Sequence, residues 1–218
     1  MKLGYDEVVP FDFTNQAELL ILLGRAGAAE PLLETVEHRI REGDAAFAGR
    51  ANRVAYLRSL AALIANRLQD ALRIARSVSP EAGGTALAAA AVAAVAAARL
   101  GLPASAQPAA APGPDVLELW YWQTLEAWWR RDVEAAWTRA NTGLAAAQAG
   151  SNDELSWRLA ALASTAARAR GQQADAARMA TVASQTRDRI RARWSGAFAA
   201  YAARADLKQL DAWLAAAR

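Results

Sequence analysis

Cysteine is absent from the 218 residues, and histidine occurs once, as His38. The missing cysteine excludes a disulfide framework and thiolate zinc sites. With a single histidine, nucleophile–base pairs are scarce. There is no phosphate-cradling glycine loop, no G-x-S-x-G, no H-E-x-x-H and no dinucleotide fingerprint. The expectation is a non-enzymatic chain with no catalytic, cofactor-binding or metal site. Strand-length runs of β-branched and aromatic residues are also lacking, which argues against sheet. The start, MKLGYDEVVP, has no apolar h-region and does not read as a signal peptide, so a cytoplasmic location is expected. Charge of one sign is not in large excess. The net value is +3, with a sequence pI near 9.7, and a bulk charge this small says little for nucleic acid.

What the chain does have is alanine. Hydrophobic residues make up 54% of it, and much of that is the best helix former. An all-α fold follows. The most apolar stretch, ALAAAAVAAVAAARLGL at 86–102, approaches bilayer-spanning length. Alanine gains little from lipid and Arg99 interrupts the run, so a buried helix of a soluble protein is expected, not a membrane span.

Glycine and proline cluster at Pro80–Gly84 and across LGLPASAQPAAAPGP, residues 100–114. The second cluster is uncharged and reads as a linker or long loop. It separates an N-terminal part, residues 1–100, from a C-terminal part, residues 115–218, with 101–114 between them.

A short pattern recurs at predicted helix–helix turns. LLGRAGAAEPLLE pairs Gly24 with Ala29, and LIANRLQDALRIA pairs Asn66 with Ala71. WWRRDVEAAWTRA pairs Arg131 with Ala136, and ARGQQADAARMA pairs Gly171 with Ala176. A residue tolerant of left-handed geometry ends one helix, and a small alanine lets the next approach it closely. Leu20, Ala62, Ala127 and Ala167 precede these turn residues by four positions. This is an αα-hairpin repeat. On these residues, LLGRAGAAEPLLETV and ANRLQDALRIARSV above all, the sequence resembles the tetratricopeptide-repeat-like superfamily over roughly 14–80 and 116–191. The turn residues are 42, 65 and 40 positions apart rather than at the family's regular 34, and Arg131 stands where glycine is usual. The wide gap accommodates an extra helix at about 84–100 and the linker.

The resemblance implies a right-handed solenoid of about ten helices. Asn15 with Glu18 fits a capping box for the first helix. Asp115, Ser151 or Asn152, and Asp206 are candidate caps of later helices. RWSGAFAAYAARADLKQLDAWLAAAR is expected to form two short capping helices. Tyr5, Phe11 and Phe13 offer a way for the N-terminal segment to dock on the first hairpin.

Three features are candidates for function. LELWYWQTLEAWWRRD at 117–132 carries four of the eight tryptophans. Leu117, Trp120, Tyr121, Trp122, Leu125, Trp128 and Trp129 cover well over half the helix circumference, more than one buried stripe requires. Tyr121, Leu125 and Trp128 are assigned to the core. Trp122 and Trp129, with Glu118 between them, are the candidate partner contacts. Second, Arg168, Arg170, Arg178, Arg187, Arg189, Arg191 and Arg193 face only Asp175 and Asp188 within their own stretch. Arg187, Arg189, Arg191 and Arg193 form the candidate patch for an anionic partner, although no stacking aromatics alternate with them. Third, His38 lies between Glu34 and Glu42 at i−4 and i+4, spacings that read better as a salt-bridged surface than as a metal site.

Arrays of this superfamily occur as modules of larger bacterial signalling, regulatory or assembly proteins. The resemblance therefore implies a protein-interaction scaffold that takes a partner peptide or helix in a concave groove. The alternatives are a regulator binding nucleic acid or another anion through the C-terminal arginines, and a homo-oligomer joined through the aromatic helix.

Overall fold

The computed structural model describes residues 8–103 and 117–215. Among them the chain is all-α, with eleven α-helices, one short 3-10 helix and no strand. It divides into two compact units, Met1–Ala93 and Ala94–Arg218. The division falls within a helix rather than at 101–114, and residues 104–116 lie outside the described residues. No helix among those described is long and apolar enough to cross a membrane.

Unit one contains α1 (Val8–Leu22), α2 (Ala26–Arg41), the 3-10 helix (Ala48–Arg50), α3 (Ala51–Ile64) and α4 (Leu68–Ala75). It also holds the opening of α5 (Gly84–Arg99), the helix expected at 84–100. The start of α1 corrects the capping assignment. Pro10 fits its first turn, where the missing N–H would have had no intrahelical partner. The helix is thus already formed when Asn15 is reached, and Glu18 pairs instead with Arg53 of α3. Tyr5 and the Phe11 side chain lie outside the described residues. Within the unit α1 packs on α2 and α3 on α4, while α3 also meets both α1 and α2. Ile21, Leu33, Val36, Leu57 and Leu60 fill the interior between these helices.

The hairpin turns form where the sequence placed them. Gly24, Asn66, Arg131 and Gly171 have φ of 74°, 62°, 65° and 77°. After each, the next amide donates back to a carbonyl five residues earlier, as Arg25 does to Leu20 at 2.7 Å and Arg67 to Ala62 at 2.8 Å. Asp132 does so to Ala127 at 3.0 Å and Gln172 to Ala167 at 2.9 Å. This closure satisfies carbonyls at the helix end and requires the left-handed residue between. Ala29, Ala71, Ala136 and Ala176 are all buried. Ser151 makes the same closure at φ 53°, so it ends a helix rather than starting one. Asn152 is the cap of the next, its side chain accepting the Leu155 N–H at 3.0 Å.

Unit two contains the rest of α5, then α6 (Glu118–Trp129), α7 (Val133–Ala149), α8 (Asp153–Ala169) and α9 (Gln173–Arg193). The two short helices expected at the end are α10 (Phe198–Ala202) and α11 (Ala205–Ala215). Asp115 lies outside the described residues, and α6 begins behind Leu117 with no side-chain cap. Asp206 is the second residue of α11 and is buried, so it serves another purpose than capping. Helix α8 is the axis of the unit. It packs against α6, α7, α9 and α11, and every residue from Leu155 to Ser164 is buried.

Gly143 of α7 marks the tightest approach. A Cβ there would stand 2.6 Å from Trp120 Cβ of α6 and 3.0 Å from Leu159 Cδ1 of α8. Gly143→Ala would gain up to about 1 kcal/mol of helix propensity. It would also overpack a three-helix junction against the rigid root of a side chain, at about 1–3 kcal/mol. The expected result is a net loss of about 1–2 kcal/mol in denaturant unfolding. A stabilised variant would mean that α6 and α7 do not approach this closely.

Candidate functional site

Of the residues predicted to meet a partner, Trp122 is buried, whereas Trp129 and Glu118 are half-buried. Trp122 is 2% exposed and packs edge-on against Tyr121, with ring centroids 4.7 Å apart. Helix α6 touches both α7 and α8, so its aromatic residues meet protein on more than one side. Trp129 is half-buried. Its ring lies 5.8 Å from that of Trp213, which also meets Trp128 at 5.6 Å, and the Arg99 guanidinium stands over it at 5.3 Å. Trp213 thus packs against both Trp128 and Trp129. Tyr121 and Leu125 are core as expected, and Trp128 is half-buried against the Ala127–Ala136–Ala166 cluster.

Glu118 is committed to an internal partner that local spacing did not reveal. Arg158 of α8 has no exposed side-chain surface, and it grips Glu118 through both terminal nitrogens. It also bonds Glu154 at 2.6 Å and stands 4.4 Å over the Tyr121 ring. Next to it Arg204, equally buried, bonds both oxygens of Asp206 at 3.1 and 2.8 Å, and the Tyr121 hydroxyl donates to Asp206 at 2.8 Å. Tyr201 completes the cluster, accepting from the Trp157 indole at 2.7 Å and donating to Glu154 at 3.0 Å.

Electrostatics in this cluster follow from the pairing. Burial alone would lower the Arg158 pKa, but Glu118 and Glu154 outweigh it and hold it well above the usual range. Burial would likewise raise the Asp206 carboxyl, yet Arg204 wins and its pKa falls. Glu154 is pushed up by burial, with the nearby Glu118 charge adding to it. Burial and the Asp206 charge raise the Tyr121 hydroxyl well above its ordinary value. Such a cluster fixes how α6, α8, α10 and α11 fit together.

Three of the four C-terminal arginines of the candidate patch find their counter-charges on other helices. Arg187 pairs with Asp211 of α11 at 2.7 Å and lies over the Trp157 and Phe198 rings. Arg189 and Arg193 share Asp153 of α8, at 2.9 and 3.3 Å. Arg191 reaches Asp188 at 4.0 Å and lies over Phe198. Counting acids only within the stretch overstated the positive patch. His38 is exposed and pairs with Glu42 at 3.1 Å.

One open cleft lies in unit one. A cleft of about 610 Å³ opens where α2, α3 and α4 meet, within the roughly 300–1,000 Å³ of small binding sites. Ile40, Val54 and Ile74 give it apolar walls, and Arg41, Arg58 and Arg73 rim it with Glu37 as the one acid among its lining residues. Arg58 crosses from α3 to Glu30 at 2.7 Å and Glu37 at 2.9 Å on α2, while its Nε is buried with no hydrogen-bond partner. Arg41 is exposed and has no acid within ion-pair distance among the described residues. Sequence reasoning missed this cleft because tryptophan content drew attention to α6. The usable signal was α4, LQDALRIA, whose Ala71, Leu72 and Ala75 are buried while Ile74, one position from Ala75, is left partly uncovered.

No family model matches the chain, and no curated protein or solved structure matches it either.

Proposed function

We propose that this chain is a non-enzymatic protein-interaction module built of tetratricopeptide-like hairpins. Its docking site is the α2–α3–α4 cleft, and the occupant is an acidic partner segment carrying an apolar anchor. The packing order supports the repeat reading. In each unit consecutive hairpins stack first helix on first helix, α1 with α3 and α6 with α8, and second helix on the following first helix, α2 with α3 and α7 with α8. That is how hairpin repeats bury a shared core.

The observation that carries the docking site is its lining, apolar walls beneath three guanidiniums and one carboxylate. An apolar side chain of the partner would enter between Ile40, Val54 and Ile74, and its carboxylates would meet Arg41 and Arg73. A carbonyl or carboxylate oxygen would accept from the Arg58 Nε. Aromatic or aliphatic anchors in such pockets carry most of an interface's energy, while rim charges set orientation and rate. Pairing of the C-terminal arginines with Asp153, Asp188 and Asp211 weighs against the anionic-partner alternative.

Fluorescence anisotropy with a labelled amphipathic peptide, glutamates on one face and leucines on the other, tests this. Binding is expected, and a lysine-for-glutamate counterpart should not bind. Ile74→Asp should weaken binding at least about tenfold, or ~1.4 kcal/mol. Arg41→Glu, at an exposed position that leaves the fold intact, should act in the same direction. Equal binding by both variants would remove the cleft from the account.

A further inference from the structure

A second cavity in unit one has a different chemistry. It measures about 360 Å³ and is lined by Thr14, Asn15, Arg50, Asn52, Arg53 and Thr85, with only Gly49 and Ala82 besides. No carboxylate lines it. Its polar lining consists of guanidiniums, amides and hydroxyls, group types that can donate hydrogen bonds. From these residues we infer a binding site for a small oxyanion, of which a phosphoryl group is the best match.

Several details point the donors toward a ligand. The Asn52 Oδ1 already accepts the Ser79 N–H at 3.0 Å, so this side chain has its NH₂ left to offer. The Asn15 side chain makes no hydrogen bond among the described residues, and the residue stands inside α1 rather than at its cap. Arg53 is held by Glu18 and stands 5.2 Å over the Tyr56 ring, which fixes its guanidinium at the cavity wall with donors to spare. Asn52 and Arg53 belong to the opening turn of α3 and Thr85 to that of α5, while Gly49 and Arg50 lie in the 3-10 helix just before α3, and the partial positive charge of these α-helix starts adds to that of the arginines. Bidentate guanidinium contacts and neutral amide donors are the combination that recognises phosphate by geometry as well as charge. The cavity lies near the lower end of the range for small-molecule sites, so it has room for a phosphoryl group with a small body attached.

The test is a two-dimensional ¹H–¹⁵N NMR titration of the full chain with inorganic phosphate, and separately with phenyl phosphate, at constant ionic strength. Saturable shifts confined to the amides of residues 14–15, 49–53 and 82–85 are the expected result. Tighter binding of phenyl phosphate would assign the site to esterified phosphate, and equal binding to the free anion. Arg53→Gln should weaken binding at least about tenfold. Because that change also releases Glu18, Asn15→Leu serves as a second variant that breaks no hydrogen bond seen in the protein, and it should weaken binding severalfold. Shifts that do not saturate, or that spread over the surface arginines and survive both substitutions, would overturn the site.

Discussion

Arg158→Ala is expected to destabilise unit two by about 3–5 kcal/mol, the usual cost of removing one partner from a buried ion pair. For a chain of this size that corresponds to roughly 6–20 °C in melting temperature. The substitution leaves Glu118 and Glu154 facing each other without the guanidinium that joins them, and it strips the cation from the Tyr121 face. Loss of packing volume adds to this, so Arg158→Met is the companion variant. If charge is the main term, Arg158→Met combined with Glu118→Gln and Glu154→Gln should recover most of the loss, since buried ion clusters replaced whole by neutral groups are often tolerated. Chemical unfolding followed by tryptophan fluorescence reads both. A single variant within about 1 kcal/mol of the wild type would mean that α6 and α8 are held by apolar packing alone.

Asp206→Asn is expected to cost about 3 kcal/mol near neutral pH, because it leaves the buried Arg204 without its bidentate partner. The pH dependence gives this prediction its sign. Unfolded, the carboxyl titrates near its ordinary 3.8, whereas folded it titrates lower. The folded state therefore binds the proton more weakly. The stabilisation is fully present above the unfolded value and is lost as pH falls through the folded one. The difference between wild type and Asp206→Asn should be constant between about pH 5 and 8 and should shrink only below 3.8. A difference that closes well above 3.8 would mean that the carboxyl is not held down by Arg204.

Both residues show where sequence reading stopped. Turn chemistry was legible because it is local. A left-handed residue with alanine five positions later needs no knowledge of the rest of the chain, and Asn66 and Arg131 adopt that geometry even without glycine. Two helices at the C-terminus were legible for the same reason. Arg158 was not, because DELSWRL contains a Glu154–Arg158 pair at i,i+4, a spacing that normally marks a solvated face. Its burial is decided by Glu118, forty positions away, and by the helices that surround α8. The ion pairs of Arg187, Arg189 and Arg193 were not legible either, since Asp153 and Asp211 belong to neighbouring helices. Trp122 became a candidate partner contact by helical angle alone, which cannot tell a helix covered on two sides from one covered on one. Asn15 and Glu18 matched a capping box by type and spacing, but α1 begins before them.

Under the proposed function, the partner docks in the α2–α3–α4 cleft and not on the aromatic helix. The most direct measurement is photo-crosslinking in cells, with benzoylphenylalanine placed at Arg41 on the cleft rim, at Trp129 of α6, or at Arg191 of α9. Cleft docking predicts one discrete adduct from position 41, abolished by Ile74→Asp, and none from the other two. A discrete adduct from position 129 or 191 that is insensitive to Ile74→Asp, with none from position 41, would contradict it.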